Sequence, residues 1–171
     1  MDVVLLISRL IVGLGLAAHG AQKLFGWFGG YGIKGTGGFL ESVGFRPGPP
    51  FAVAVGLGEF GGGLLAAVGL LGPVGPALMI LVMVVAILSV HAGQGFFADK
   101  KGSELPLMYA SGAFVLAFTG PGGYSMDRVL GSSALSGTGT AWAAVAIALL
   151  LAVINVGLRR RAPAQRSGSG A

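Results

Sequence analysis

FGGGLLAAVGLLGPVGPALMILVMVVAILSVHAGQGFFA, residues 60–98, contains no Asp, Glu, Lys or Arg. Charge-free apolar runs of about 18 or more residues predict membrane-spanning helices. This run is too long for one crossing and is broken by Gly72-Pro73. It therefore predicts the end of one span and the whole of the next, folded back on a tight turn. Residues 129–158 form a second stretch without charge. Across 171 residues the chain is 54% hydrophobic and only 10% charged, against about a quarter charged in an average soluble domain. The fold class is an all-α membrane protein of several spans.

Five apolar segments follow from this reading: Val3 to Phe25, Phe51 to Leu71, Val74 to Ala92, Leu105 to Thr119 and Thr140 to Leu158. The second begins just after Pro49-Pro50, and Pro76 and Pro106 fall in first helical turns, where a missing N–H costs nothing. The fourth is short for a crossing of about 17–25 residues. Membrane β-strands run to about 10 residues with alternating polarity, a pattern these segments lack. Asp2 and Arg9 disrupt the form of a signal peptide, so the first segment is expected to be a retained helix.

Charge sets the orientation. With five spans, Lys23, Lys34, Arg46, Lys100, Lys101, Arg159, Arg160, Arg161 and Arg166 share one side. Arg128 lies on the other, with Arg9 in the outer half of the first span. The positive-inside rule puts the C-terminus in the cytoplasm and the N-terminus outside. The expected location is the bacterial cytoplasmic membrane. The net charge of +5 reports topology and contact with anionic lipid, not nucleic acid. The chain has no cysteine, so it has no disulfide, thiol redox centre, Cys-ligated zinc or iron–sulfur cluster.

Residues 25–50 hold nine glycines and six aromatics. Two readings stand: an interfacial segment with aromatics at headgroup level, or a lid over a site between the helices. Residues 30–35 match G-x-G-x-x-G, but no strand precedes them, so a dinucleotide site is rejected.

Ionisable residues at membrane depth are costly and tend to be functional. His19, Glu59 and His91 meet that description, while Arg9 and Lys23 are expected to be shallower and to snorkel. Alternation of the spans places His19, Glu59 and His91 in the same half of the bilayer, within roughly 12 Å of one face. Glu59 sits on a stripe of small residues, Ala52, Gly56, Gly63 and Ala66, which admits a neighbouring helix closely. Gly15, His19 and Lys23 stack at i, i+4, i+8 with Gln22 beside them. Packing of the His19 face on the Glu59 face is expected. The result is either a buried pair that only fixes helix register or a functional site. Two histidines on parallel helices raise bis-His haem ligation, but they differ in depth by ~8 Å at 1.5 Å per residue. Haem is not expected.

These residues lie in four blocks: AHGAQKLFGWFGG over 18–30, GLGEFGGG over 56–63, HAGQGFF over 91–97 and GPGGYSMD over 120–127. In order and spacing, from about Leu5 to Leu130, the chain resembles the DoxX family of small membrane proteins. The resemblance implies a four-helix unit over 1–130. Residues 131–161 then form a loop and an additional fifth span ending in a basic cluster, and 162–171 a disordered tail. It also implies an oxidoreductase-associated membrane subunit. Some relatives are membrane subunits of a thiosulfate:quinone oxidoreductase, and an actinobacterial relative associates with superoxide dismutase and a sulfurtransferase. His19, Lys23, Glu59 and His91 are the polar residues of the matching blocks.

Three functions compete. The first is a subunit contributing to a quinone site, where His19 or His91 donates to a carbonyl oxygen and Glu59 relays protons, with the flavin or metal on a partner. The second is a structural or anchoring subunit of a larger complex. The third is a proton-coupled carrier of a small solute, for which no inverted repeat is apparent. No nucleophile–base set, metal-ligand spacing or phosphate loop is present, so a partner-dependent subunit is expected rather than a self-sufficient enzyme. The expected partners are membrane lipid and other membrane or redox subunits, and no intrinsic cofactor is expected. Because the chain has no cysteine, single Lys34→Cys and Lys100→Cys variants give unique labels. Both are expected to resist a membrane-impermeant maleimide applied to intact cells and to react after permeabilisation; labelling from outside would reverse the orientation.

Overall fold

The computed structural model describes residues 1–132 and 134–159. Arg160, Arg161, Arg166 and the expected tail lie outside the described residues. The elements are α1 (Asp2–Phe25), α2 (Gly32–Ser42), α3 (Gly48–Val68), α4 (Val74–Ala86), α5 (Glu104–Thr119), α6 (Met126–Val129) and α7 (Thr138–Gly157). There is no strand among the described residues. A π-helical turn over Ile87–His91 extends α4. Four helices are long and apolar enough to cross a membrane: α1, α3, α4 with its π turn, and α7. At 16 residues, α5 is a shorter apolar helix of about 24 Å. The protein is an all-α, multi-pass membrane protein.

Helix boundaries follow local chemistry. α3 starts at Gly48, three residues earlier than the prolines suggest, with Pro49 and Pro50 inside its first turn, where the N–H groups have no intrahelical partner anyway. It ends at Gly69, whose φ of 68° is left-handed. The Gly69 N–H donates to Ala66 and the Leu70 N–H to Leu65 at 3.0 Å, closing the helix on its own carbonyls.

The main seam joins α1 to α3. A side-chain carbon on Gly13 would stand 2.6 Å from the Gly63 carbonyl oxygen, and one on Gly63 would stand 2.5 Å from the Gly13 oxygen. Gly20 lies just as tightly on the backbone of Phe60. The small-residue stripe of α3 is buried as expected, with Ala52, Gly56, Glu59, Gly63 and Ala66 all inside. Its partner on α1 is Gly13, Ala17 and Gly20, one face over from Gly15, His19 and Lys23. That neighbouring stripe is therefore free to turn toward α5 and a cavity. The core beyond the seam joins Leu16 of α1, Met79 of α4, Ala113 of α5 and Val145 of α7.

The end of the bundle at the N-terminus is closed by polar contacts. Arg9 does not snorkel, because it is only 3% exposed. Its guanidinium donates to the carbonyls of Pro121 and, at 2.5 Å, Tyr124. The Asp127 carboxylate accepts the N–H groups of Leu71 at 3.0 Å and Gly72 at 2.7 Å, and its own N–H donates to Gly69. Asp2 accepts from Gly123. The GPGGYSMD block thus ties the α5–α6 connection to α1 and to the α3–α4 turn. Carbonyls and amides near a membrane face find no water partner once packed, and these side chains supply the partners.

Gly13→Leu and Gly63→Leu should each destabilise the purified protein by about 1–3 kcal/mol or more, the cost of forcing atoms into a packed contact. A lower melting temperature in detergent reads this out. Gly61→Ala, where an added carbon meets nothing within 4 Å, should leave it unchanged or slightly higher; equal effects at all three positions would deny the seam its role.

Candidate functional site

At the other end, α1, α2, α3, α4 with its π turn, α5 and α7 border a half-open cavity of about 290 Å³. Its walls are largely leucine, valine and phenylalanine. Among them stand all four residues singled out from the sequence, His19, Lys23, Glu59 and His91.

Glu59 is 3% exposed. It is held there because the glycine stripe brings α1 within reach, and Lys23 Nζ meets its Oε2 at 2.5 Å. The Lys23 side chain is 30% exposed and that of Glu59 4%. Lys23 therefore turns inward instead of snorkelling, and the pair runs from the accessible edge of the bundle to its interior. A lone carboxylate at this depth is prohibitively costly to ionise; a paired one is tolerable.

His19 lies one turn before Lys23. Its Nδ1 is 3.2 Å from Gln22 Oε1, and Gln22 Nε2 donates to the Phe28 carbonyl at 3.2 Å. A carbonyl only accepts, which fixes the amide orientation, so the imidazole donates through Nδ1–H. The His19 ring meets Tyr109 edge to face, with centroids 5.8 Å apart at 84°. Gly15 makes room for that tyrosine, since a side-chain carbon there would stand 2.7 Å from its hydroxyl.

His91 closes the π turn of α4. Its Nδ1 donates to the Lys101 carbonyl at 2.6 Å, tying the helix end to the following loop. π turns recur at functional sites because they re-aim side chains at a helix end. When either ring is neutral, these contacts place its hydrogen on Nδ1 and its lone pair on Nε2.

The glycine-rich segment divides between its two readings. Trp27, Phe28 and Tyr31 are exposed, as befits headgroup level. Residues 32–42 form α2, whose Thr36, Gly37 and Leu40 are buried. Thr36, Phe39 and Leu40 line the cavity, so α2 supplies one of its walls. Glu41 Oε1 accepts from the Gly48 N–H at 2.7 Å, fixing α2 to α3. Arg159, just after α7, donates to the Val43 carbonyl at 3.0 Å and lies over the Phe45 ring, 5.7 Å from its centre.

Four further polar residues line the cavity: Thr36 of α2, Ser89 of the π turn, Tyr109 of α5 and Asn155 of α7. Charge at membrane depth singles out none of them. Asn155 carried a signal, as the one carboxamide in the apolar run of α7; Tyr109 carried none, one aromatic among many. No group of three or more His, Asp or Glu side chains that could hold a metal ion occurs among the described residues.

The DoxX family model matches residues 4–92. The chain belongs to the DoxX family. The matched part runs from α1 through the π turn of α4 and contains His19, Lys23, Glu59 and His91. It stops short of the Leu130 limit read from the sequence, so the GPGGYSMD block, Tyr109 and Asn155 lie beyond it. No curated protein and no solved structure matches the chain.

Lys23→Met should destabilise the protein by about 3 kcal/mol, the lower end of the cost of orphaning a buried charge. Adding Glu59→Gln should restore most of that loss. Thermal unfolding of both variants in one detergent measures it, and an unchanged single variant would mean that the pair holds nothing together.

Proposed function

We propose that this DoxX protein is a membrane subunit associated with an oxidoreductase and contributes a quinone site. The observation that carries this reading is the cavity itself: an apolar chamber with a few convergent polar groups and a buried, paired carboxylate. Small-molecule sites have that character, at volumes from about 300 Å³ upward. Its size suits a single substituted ring and part of a tail, not a dinucleotide.

A bound quinone would supply two-electron chemistry coupled to two protons. The chain has no cysteine and no redox group of its own side chains, so the electrons come from a partner carrying a flavin or metal. The residues of this chain bind, orient and handle protons. The apolar walls exclude water around the ring. His19 Nε2 and His91 Nε2 present lone pairs able to hold a proton. Glu59 lies inside and Lys23 at the accessible edge, so the pair offers a proton route between the cavity and the outside. A group that moves a proton must lie within hydrogen-bond reach of its partner, which the 2.5 Å contact satisfies.

Purification in mild detergent tests the reading. The preparation should retain quinone at close to one per chain, together with a redox-active partner. Glu59→Gln should lower the coupled rate of quinone turnover by about 10²-fold, the scale of a lost acid–base group, while the quinone stays bound. Absence of quinone would refute the site. Unaltered turnover in Glu59→Gln would leave the pair a device for fixing helix register, in an anchoring subunit.

A further inference from the structure

We infer that Tyr109 and Asn155, from helices beyond the part of the chain that the family model matches, are the donors that hold the ligand's oxygen atoms. The inference rests on the quinone reading above and names residues for that site.

Hydrogens decide it. A quinone presents carbonyl oxygens, which only accept. His19 and His91 were the expected donors, but the first spends its Nδ1–H on Gln22 and the second on Lys101. Whenever either ring is neutral, its remaining nitrogen is an acceptor. Lys23 gives one of its three N–H groups to Glu59, and the Ser89 hydroxyl donates to the Val85 carbonyl at 2.5 Å. Tyr109 and Asn155 are different. Both line the cavity, and neither side chain has a hydrogen-bond partner among the described residues, a condition that the Thr36 hydroxyl in the α2 wall shares. Tyr109 and Asn155 are half-buried on the cavity wall, where a ligand oxygen would complete them.

Each donor is held in place by something else. Gly15 leaves space for the Tyr109 hydroxyl and the His19 ring braces its face. Asn155 lies one turn before Arg159, which is pinned to Val43 and Phe45. The cavity then offers donors from α5 and α7 beside imidazole acceptors from α1 and α4. A quinone uses the first set, and its hydroquinone form, which has hydroxyl hydrogens to give, also uses the second.

The test is equilibrium binding to the full-length protein in detergent, read as the ligand-dependent rise in melting temperature. The ligands are a benzoquinone carrying a ten-carbon alkyl tail and the alkylbenzene with the same tail. Tyr109→Phe and Asn155→Leu keep the shape of each side chain and remove its donor. Each should weaken quinone binding about tenfold, equivalent to about 1.4 kcal/mol, and leave alkylbenzene binding unchanged. Wild-type affinity for quinone in both variants would overturn the assignment while leaving the site standing. Equal weakening toward both ligands would also overturn it, by showing a packing role. No quinone binding by the wild-type protein would overturn the site and the assignment together.

Discussion

Two helices touch backbone to backbone where Gly13 of α1 faces Gly63 of α3. In a membrane, apolar side chains gain little by meeting one another instead of lipid, so close fit and polar contacts must hold helices together. The contact at Gly13 and Gly63 supplies the fit. It also sets the distance at which everything further along the two helices meets. Lys23 reaches Glu59 because the seam has already brought α1 and α3 within a lysine's length, and His19 faces the cavity because the seam occupies the adjacent face. A buried carboxylate, expensive alone, becomes tolerable as a consequence of that geometry.

The protein is polar at both ends for different reasons. At one end Arg9 and Asp127 spend their hydrogen-bonding capacity on backbone groups of turns. Their partners are fixed backbone groups, the arrangement expected of structural polar groups, although Arg9 Nε is buried without a partner among the described residues. At the other end Tyr109 and Asn155 have no such partners, Lys23 is partly exposed, and the cavity is large enough for a molecule. Polar groups committed to backbone turns at one end contrast with polar groups facing a cavity at the other.

Much of this was legible in the sequence. The charge-free stretches marked the spans, and the spacing of Ala52, Gly56, Glu59, Gly63 and Ala66 marked the face of α3 that carries the carboxylate. The three residues read as ionisable at depth, His19, Glu59 and His91, do share one cavity, and Lys23, expected to be shallower, joins them. What the pattern could not give was pairing between faces. Gly13, Ala17 and Gly20 form a stripe as good as Gly15, His19 and Lys23, and only three-dimensional packing decides which meets α3. Arg9 was misread because snorkelling is the default for a long cation near a span end. Its carbonyl partners lie more than a hundred residues away, where local sequence says nothing about them. Asn155 was missed because a carboxamide has no charge to draw attention, although its burial cost in an apolar wall is real.

The π turn at Ile87–His91 has a consequence for chain length. Each α-helical residue advances about 100° around the axis, and a π turn accommodates one residue more than an α turn. Whatever follows it is therefore rotated back by about one residue's step. The core face of α4 carries Met79, Val82 and Met83; continued as a regular helix, that face would leave His91 about 80° away from the direction of Met83. The extra residue swings the imidazole back toward that face. The end of α4 can thus accept the loss of one residue: deleting one between Ile87 and His91 turns the π turn into an α turn and leaves the imidazole about 20° from the direction of Met83, whereas closing the turn at unchanged length would carry it about 80° away.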